Sequence, residues 1–517
     1  MSLRFVPTPF AASALLAGLA AARAGQEERR VPSSAADAFI ATGAARGNLD
    51  ALLSGRALAV TTGQQAGLFT GPLYTVLKAL TASAMAQRLQ STWARPIVPV
   101  FWVAGDDHDF AEIAGCHVIA QDGTDEAIVL RERAPDARML PAFREPLEPG
   151  IAAAFSRLEA LLPPSEFRSG VVDWLRRAYA PGRSMAEAHA EALSELLADH
   201  GVVVLRGWHG ALKRAAADVL LGALGRAEAL DAALAEEAAA LGRAGQEVPV
   251  EVGHGLSLVM LEGAAGRDRL RTEAPGRFVT RRSAEAFTGP DLERILREEP
   301  ERLSANVLLR PVVEASVVPT VVYVGGPGEL AYLAQTRPLF GAFGVPRPAA
   351  APRLSGMLID GRADKTLERL GLEPGDLARP EHELAADVLR DALPAPAAEA
   401  LSALRRALEE GFGALGREAA GIDKTLERSV ESARNQALGA SQEIEKKLLA
   451  ALKRTSDTAF QQLVRARAAL FPRGEPQERV HTIASFTARY GGEVLDVLGA
   501  AGRDHAARLL EGNLRET

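Results

Sequence analysis

The sequence contains almost no cysteine and no long apolar segment. Its 517 residues include one cysteine, Cys116, which excludes an intrachain disulfide and a zinc site built on several thiolates. No histidine-containing motif around Cys116 indicates an activated thiolate, so we interpret this residue as a small buried hydrophobe. No run of about eighteen apolar residues occurs, so we expect no membrane span and no membrane partner.

The chain also lacks an excess of basic residues and a convincing secretion signal. Its net charge is −7 and its pI is near 5.9, so we expect no nucleic-acid partner. The alanine-rich stretch Ala11–Ala24 follows a single Arg4 and is preceded by Pro7 and Pro9, which does not fit a signal peptide. We interpret the stretch as an amphipathic helix of the mature protein and expect a cytoplasmic location.

The hydrophobic pattern predicts a parallel α/β core. Residues 57–62 and 97–104 are apolar runs typical of buried strands, and a helix that opens at Pro72 separates them. Further strands are predicted at 202–205 and 317–324. Strand, helix and strand at this spacing form a βαβ unit, whose handedness favours a doubly wound sheet.

A change of composition near residue 394 marks a helical region. Alanine, leucine, glutamate, lysine and arginine dominate from there to residue 470, and Leu401, Leu408, Leu415 and Ile422 recur every seven residues. With a break near Gly439, the pattern predicts two long helices in an antiparallel coiled coil. The predicted segments are 1–200, the first part of the core; 201–300, an inserted region; 301–390, the second part of the core; 391–471, the coiled coil; and 472–517, a C-terminal segment packing on the core.

The first segment with candidate binding residues follows the first strand and reads TGQQAGLFTGPLYTVLK. A strand followed by a glycine-rich turn and a helix leaves backbone N–H groups free where an anion can bind. The spacing fits neither a G-x-G-x-x-G fingerprint nor a Walker A loop, and a purely structural turn is an equal alternative. The candidate binding residues are Gly63, Gln64, Gln65, Gly71, Tyr74 and Lys78.

The second segment, AGDDHDF, directly follows the strand at 97–104, and the carboxyl ends of parallel strands are where such sheets bind ligands. It surrounds one imidazole, His108, with Asp106, Asp107 and Asp109. These carboxylates are expected to favour the protonated form of His108 and to orient its ring for acid/base work. The alternatives are metal ligation by His108 with an aspartate, and helix capping by one aspartate with the others solvated.

The third segment, VVYVGGPGELAYLAQ, repeats the order of apolar strand, glycine turn and helix. Its candidate binding residues are Gly325, Gly326, Gly328 and Glu329. At a helix start the charge of Glu329 suits the helix dipole but repels a phosphate, so we expect it to bind an amine. The alternative is a structural turn with a capping glutamate.

Together these segments resemble a known family. The stretches that carry the resemblance are TGQQAGLFTGPLYTVLKA, PVFWVAGDDHDFAEI, NVLLRPVVEASVVPTVVYVGGPGELAYLAQ, and PQERV followed by RYG. In this order they resemble the cysteine ligases of bacillithiol biosynthesis, the BshC family. The resemblance implies a Rossmann-like core with inserted connecting-peptide subdomains and a C-terminal α-helical coiled coil that forms homodimers. The chain departs from the family's pattern at Arg206-Gly207-Trp208 and in VPVEVGHGLSLVML.

The resemblance implies the last step of bacillithiol biosynthesis, in which cysteine is added to glucosaminyl-malate. Because the family core is similar to nucleotidyltransferases and class I aminoacyl-tRNA synthetases, ATP is the expected cofactor and would activate the cysteine carboxyl group. The sequence contains no H-x-G-H or K-M-S-K-S motif, so this activation is an analogy, and no metal site is predicted.

We therefore expect loops near residues 65, 107 and 327 to meet at one rim of the sheet. In this hypothesis the first group binds the nucleotide or another anion, and the third group binds cysteine or the sugar amine. His108 and Asp109 transfer protons, with Asp106 in support. Two alternatives are an adenylate-forming ligase or nucleotidyltransferase with a different amine acceptor, and a non-catalytic dimeric scaffold built around the coiled coil.

Overall fold

The computed structural model of the protein describes residues 3–9, 16, 18–253, 255–384, 393–455 and 457–511. The chain forms two compact units: a core unit, Arg4–Met357 with Gln477–Thr517, and a helical unit, Met1–Leu3 with Leu358–Pro476. Of the helix predicted over 11–24, residues 11–15 and 17 lie outside the described residues, as does the predicted boundary between 390 and 391. A described helix begins at Leu19.

The strands are short and numerous. In chain order they are β1 Leu3–Pro7, β2 Phe39–Ile40, β3 Leu58–Gln64, β4 Ile97–Val103, β5 Gly115–Ile119, β6 Asp125–Val129, β7 Val203–Arg206, β8 Leu256–Gly263, β9 Gly266–Ala274, β10 Arg277–Thr280, β11 Ala286–Thr288, β12 Leu303–Ala305, β13 Thr320–Gly325, β14 Ala349–Pro352 and β15 Gly356–Asp360.

The α-helices vary more in length. They are α1 Leu19–Gln26, α2 Ala45–Leu53, α3 Tyr74–Trp93, α4 Phe110–Ile113, α5 Ile151–Leu161, α6 Arg168–Ala178, α7 Met185–Leu196, α8 Gly210–Ala215, α9 Ala217–Gly225, α10 Ala227–Arg243, α11 Gly289–Glu298, α12 Arg310–Val317, α13 Pro327–Gln335, α14 Arg337–Phe343, α15 Gly361–Leu370, α16 Ala395–Ile422, α17 Leu426–Thr455, α18 Asp457–Leu470, α19 Gln477–Val480, α20 Ala484–Tyr490 and α21 Glu493–Leu510. None of these described helices is long and apolar enough to cross a membrane.

The predicted Rossmann-like sheet is confirmed. Six strands lie in the order β14-β13-β3-β4-β7-β2, and every neighbouring pair is parallel except the edge pair of β2 with β7. The strand predicted at 317–324 begins at Thr320, because the preceding residues complete helix α12 and Pro319 follows them.

Both faces of this sheet are covered by apolar side chains, as the continuous apolar runs predict. Along β3 and β4, alternate residues enter two different hydrophobic clusters. Ala59, Val98 and Val100 belong to one cluster, and Leu58, Val60 and Ile97 belong to the other. The second cluster also contains Ala506, Leu509 and Leu510 of helix α21, so the C-terminal segment covers one face of the sheet.

The inserted region forms a second sheet in the core unit. Five strands lie antiparallel in the order β11-β10-β9-β8-β12. Strands β8 and β9 of this sheet form an antiparallel hairpin. Strand β9 places alternating residues of the sequence GRDRLR on opposite faces, which positions several arginines of the site.

The helical unit contains the predicted pair of long helices. Helix α16 ends at Ile422 and helix α17 begins at Leu426, so the turn lies at residues 423–425. The predicted break near Gly439 is wrong, because α17 continues through that residue. Arg405 and Glu445 form an ion pair between the two helices.

Candidate active site

Three neighbouring parallel strands end at one cavity of the core unit. Strands β13, β3 and β4 are adjacent, and residues that follow all three of them line a cavity of about 720 Å³. The loops near residues 65, 107 and 327 therefore meet at one rim of the sheet, as the sequence predicts. Strands β9 and β12 of the inserted region supply further lining residues, including Arg267 and Ala305.

The cavity brings together most of the residues proposed from the sequence. Its lining includes Gly63, Gln64, Gln65, Tyr74, Lys78, Asp106, Gly326, Gly328 and Glu329. The proposed residues that the described lining does not include are Gly71, Gly325, His108 and Asp109. Asp109 is exposed, and its side chain accepts a hydrogen bond from the backbone N–H of Glu112 as the N-cap of α4, the capping arrangement weighed as an alternative.

Backbone amides at the first and third turns already have partners. The N–H of Gly326 donates to Glu329 Oε2 at 2.9 Å, and the N–H of Leu73 donates to the carbonyl oxygen of His481 at 2.8 Å. In the first turn, the N–H of Leu73 is therefore not free for an anion. Gly63 instead permits a close approach of strands, because a Cβ atom there would lie 2.8 Å from the carbonyl oxygen of Trp102.

Lys78 and Glu329 form a buried ion pair on the cavity wall. The Lys78 ammonium also donates to the carbonyl oxygen of Gly63 at 2.8 Å and to Gln64 Oε1 at 2.7 Å. An ammonium has three N–H groups, so this geometry uses all of them. Glu329 also accepts from the hydroxyl of Tyr323 at 2.8 Å. In this arrangement the charges of Lys78 and Glu329 are paired with each other. The two side chains therefore hold the cavity wall in place and do not offer a free charge to a ligand.

Burial and charge act in opposite directions on this pair. Burial lowers the pKa of Lys78, although the Glu329 carboxylate opposes the shift. Burial also opposes ionisation of Glu329, but Lys78 and the N–H of Gly326 together hold its pKa below the usual value. Each group therefore favours the charged form of the other.

Asp106 presents an unsatisfied oxygen at the cavity. One of its carboxylate oxygens, Oδ2, is ion-paired with the buried Lys213, whereas Oδ1 is buried and has no hydrogen-bond partner among the described residues. Burial raises the pKa of Asp106, and the charges of Lys213 and Arg267 oppose that shift. A buried carboxylate oxygen without a partner is costly, so a donor from a ligand fits this position.

His108 does not have the protonation state expected from the sequence. Its Nδ1 lies 3.3 Å from Nη1 of Arg267 and 3.7 Å from Oδ1 of Asp107. Because a guanidinium only donates, Nδ1 accepts and the neutral ring carries its proton on Nε2. Burial and the Arg267 charge lower the pKa of His108. The prediction of a protonated His108 is therefore wrong, since Arg267 was not foreseen beside the aspartates.

Asp107 connects the first and second loops. Its Oδ2 accepts from Nε2 of Gln65 at 2.6 Å, and its Oδ1 accepts from the N–H of His108 at 2.7 Å. Burial opposes ionisation, but the Gln65 hydrogen bond and the Arg267 charge lower the pKa of Asp107. A charged, well-bonded Asp107 therefore fixes the positions of the two loops relative to each other.

The described lining residues carry an excess of positive charge. Seven of them are cationic: Lys78, Lys213, Arg267, Arg269, Arg310, Arg353 and Arg479. Three of them are carboxylates: Asp106, Asp107 and Glu329. Arg353 is ion-paired with Glu478, which does not line the cavity, and Arg310 is paired in the same way with Glu314. The remaining excess suits a ligand with several negative charges.

Sequence reasoning missed these arginines, Lys213 and Asn306. Asn306 accepts hydrogen bonds from the backbone N–H groups of Leu308 and Leu309, while its buried Nδ2 has no partner among the described residues. Only GRDRLR carried a visible signal, because its basic residues alternate as they do on one face of a strand.

Comparisons with known proteins agree with this architecture. Residues 31–354 match the family description "Bacillithiol biosynthesis BshC, N-terminal Rossmann-like domain", and residues 356–506 match "Bacillithiol biosynthesis BshC, C-terminal coiled-coil domain". The two matches together cover most of the chain. They follow the order of the core strands and the long helices described above.

Curated relatives carry the same family name. The "Putative cysteine ligase BshC" of Salinibacter ruber is 33% identical over 454 residues, which span 88% of this chain and 82% of that protein. The protein of the same name in Chlorobaculum tepidum is 30% identical over 467 residues, spanning 87% and 82% of the two chains. The Heliobacterium modesticaldum relative is 32% identical over 458 residues, spanning 86% and 81%. This chain therefore belongs to the BshC family of bacillithiol biosynthesis.

Proposed function

We propose that the protein is a ligase that joins cysteine to glucosaminyl-malate through an amide bond, with ATP as the energy source, in the last step of bacillithiol biosynthesis. The observation that carries the proposal is a cavity whose lining combines an excess of cations with Asp106, one of whose buried carboxylate oxygens has no partner among the described residues. Support also comes from the relatives, whose printed name is that of a cysteine ligase.

The charges of the cavity fit these substrates. ATP and the malyl group are anions, and arginine guanidinium groups bind phosphate and carboxylate through paired hydrogen bonds. The orphaned amide of Asn306 adds a neutral donor on the same wall. The amine of the acceptor needs a hydrogen-bond acceptor, which Asp106 Oδ1 provides.

The reaction requires an activated carboxyl group and loss of a proton from the amine. ATP would supply the activation: a cysteine carboxylate oxygen would form a bond to a phosphorus of ATP, and a phosphoanhydride bond of that phosphorus would break with release of pyrophosphate or ADP. The amine nitrogen then forms the C–N bond, and the C–O bond to the leaving group breaks with its electron pair. Asp106 accepts the proton that the amine loses, and its raised pKa favours this uptake. Lys213 holds Asp106 in place, and Arg267, positioned by His108, faces the developing negative charge.

Product analysis tests the proposal directly. The purified full-length protein is incubated with ATP, cysteine and glucosaminyl-malate, and mass spectrometry should detect the cysteinyl amide. The nucleotide product, AMP or ADP, is identified by chromatography in the same reaction. A product with a different amine and none with glucosaminyl-malate would support the alternative ligase. No nucleotide turnover with any tested amine would support the scaffold.

Two asparagine variants separate Asp106 from Asp109. Asp106→Asn should lower the rate by about 10²–10⁴-fold, because asparagine cannot take up the proton. Asp109→Asn should retain near-normal activity, since asparagine caps a helix as well as aspartate does. Equal losses in both variants, with folding verified by circular dichroism, would contradict this assignment and restore Asp109 as a candidate.

We also propose that the protein forms a homodimer through its helical unit. Leu415 and Ile422 of α16 are 53% and 81% exposed, and Leu426, Ile444 and Leu448 of α17 are exposed as well. The heptad spacing of leucines supports a coiled-coil partner for these side chains. Sedimentation of the protein and of Leu415→Glu/Ile422→Glu should show a dimer and a monomer, respectively. A monomeric parent protein would contradict the proposal.

A further inference from the structure

A row of arginines extends away from the cavity along strand β9. Arg267, Arg269 and Arg271 occupy every second position, so their side chains project from the same face of the strand. Arg267 and Arg269 line the cavity described above. Arg269 and Arg271 line an adjoining pocket of about 630 Å³. Arg269 therefore belongs to both spaces, and the row spans about 13 Å between the first and last Cα atoms.

A fourth arginine approaches the same row from the neighbouring chain segment. The N–H of Arg281 donates to the carbonyl oxygen of Arg269 at 2.9 Å, which holds Arg281 next to Arg269 in the sheet. Arg281 also lines the adjoining pocket. Glu251 is the single carboxylate among the described residues that line this pocket. The pocket thus gathers three guanidinium groups, from Arg269, Arg271 and Arg281.

These three guanidinium groups have no counter-charge in direct contact. Within the described part of the chain, the guanidinium groups of Arg269, Arg271 and Arg281 make no ion pair and no hydrogen bond to another residue. The Nε of Arg269 is buried without any hydrogen-bond partner. Burial and the neighbouring charges of Arg281 and Arg267 lower the pKa of Arg269, and the charge of Asp231 only partly opposes them.

Other arginines in this sheet or in the turn after β10 are paired with carboxylates. Arg277 is ion-paired with Glu273 at 2.7 Å, and Arg282 is ion-paired with Asp268 at 3.3 Å. The sheet is therefore able to provide carboxylate partners for its arginines. It does not provide them in the row that leads out of the cavity. This local difference indicates that an external anion supplies the missing negative charge.

We propose that Arg269, Arg271 and Arg281 bind a phosphate chain that extends from the substrate cavity. This inference rests on the proposed function, in which the chain is the triphosphate of ATP. A phosphate chain fits better than the malyl group, because three guanidinium groups match several negative charges distributed along a chain. A dicarboxylate carries two charges within a few bonds and occupies only part of the row. The planar guanidinium forks suit phosphate oxygens in pairs.

Binding of inorganic tripolyphosphate to the full-length protein tests this site. Calorimetry at fixed ionic strength compares the parent protein with the double variant Arg271→Ala/Arg281→Ala, both of whose changes are at exposed positions. The variant should bind tripolyphosphate on the order of tenfold to a hundredfold more weakly. Arg277→Ala is the matched control, since it removes an exposed arginine of the same sheet outside the pocket, and its affinity should change less than about twofold.

Three results would overturn the site. The first is an unchanged affinity for tripolyphosphate in the double variant. The second is a loss of tripolyphosphate affinity in Arg277→Ala that equals the loss in the double variant. The third is that malate binds the parent protein more tightly than tripolyphosphate does and that the double variant loses this malate binding. The last result would assign the row to the dicarboxylate.

Product analysis of the same proteins separates this inference from the proposed function. If the parent protein binds tripolyphosphate through these arginines but forms no cysteinyl amide, the anion site stands and the proposed ligase reaction falls. If the amide forms and the KM for ATP is the same in parent and double variant, the reaction stands and the phosphate site falls. If the KM for ATP is about tenfold or more higher in the double variant than in the parent protein, and the KM for cysteine is unchanged, the result supports both the ligase reaction and the phosphate site.

Discussion

Replacing Glu329 with glutamine tests whether the buried ion pair stabilises the cavity wall. The change keeps the shape of the side chain but leaves the Lys78 ammonium buried without a counter-charge, and the Lys78 side chain is only 3% exposed. Breaking a buried pair from one side typically costs about 3–5 kcal/mol, because the remaining charge is no longer compensated. We therefore expect a loss of this size in the free energy of unfolding of the core unit.

Urea unfolding at pH 7, followed by tryptophan fluorescence, measures this loss. Glu273→Gln is the matched control, since it breaks an exposed pair with Arg277 and should cost less than about 1 kcal/mol. The double variant Lys78→Met/Glu329→Gln should recover much of the stability, because it removes the uncompensated charge. If the double variant is less stable than Glu329→Gln, Lys78 contributes to the free energy of unfolding mainly through its hydrogen bonds to the uncharged groups of Gly63 and Gln64.

The pH dependence provides an independent check. Without the Glu329 carboxylate, the largest effect that opposes the lowering of the Lys78 pKa by burial is removed. Between that lowered pKa and the ordinary lysine value, the unfolded chain binds more protons than the folded one, so stability rises with pH. The deficit of Glu329→Gln should therefore shrink between pH 7 and pH 9.5. A constant deficit over this range would refute the account of a buried, uncompensated charge.

Three further predictions concern groups outside the cavity. Tyr179→Phe should lower the free energy of unfolding by about 1–3 kcal/mol in urea titrations, because its buried hydroxyl donates to the carbonyl oxygen of Gly67 at 2.9 Å. Burial opposes ionisation of Asp125, but hydrogen bonds from two histidines, including His481 at 3.2 Å, lower its pKa. Its stabilising contribution is thus fully present above the unfolded pKa of about 4 and declines progressively as the pH falls from there through the lower folded pKa. Asp125→Asn should therefore be less stable than the parent protein at pH 7, and the difference should narrow as the pH falls below about 4. Burial raises the pKa of Cys116 to about 12, so a thiol reagent should react with it at neutral pH only after denaturant is added.

Four strands of the core sheet were readable from the sequence, at residues 57–62, 97–104, 202–205 and 317–324. Apolar runs at 57–62 and 97–104 correspond to β3 and β4, because a strand covered on both faces has no polar positions to interrupt the run. The same logic placed the loops near residues 65, 107 and 327 together, since adjacent parallel strands end at one edge. The predicted meeting of these three loops at one cavity is therefore confirmed.

The chemistry within the site was less predictable, because it depends on pairs that are distant in the chain. Lys213 meets Asp106 across 107 residues, and Arg267 meets His108 across 159. No local spacing signals such pairs, and they decide which aspartate keeps a free oxygen and which protonation state His108 adopts. The contact of Glu329 was easier to foresee, because Glu329 accepts from the N–H of Gly326 only three residues away. A capping glutamate at this turn was one of the alternatives drawn from the sequence.

The turn of the helical hairpin was misplaced for an energetic reason. A glycine inside a helix costs only about 1 kcal/mol, so Gly439 does not by itself end a long helix. Asp423 forms a stronger signal, because its carboxylate accepts hydrogen bonds from the N–H and hydroxyl of Thr425 at 2.8 and 2.9 Å. Such local bonds offer the backbone an alternative to helix and terminate it.

The return of helix α21 to the first sheet has a consequence for folding during synthesis. Ala506, Leu509 and Leu510 share an apolar cluster with Leu58 and Val60, although the whole segment Leu358–Pro476 is translated between them. A ribosome must therefore finish the long helical hairpin, whose contacts are local, before the nascent core can acquire its last layer. Until then part of the early sheet stays uncovered, which makes it the surface for chaperones to protect.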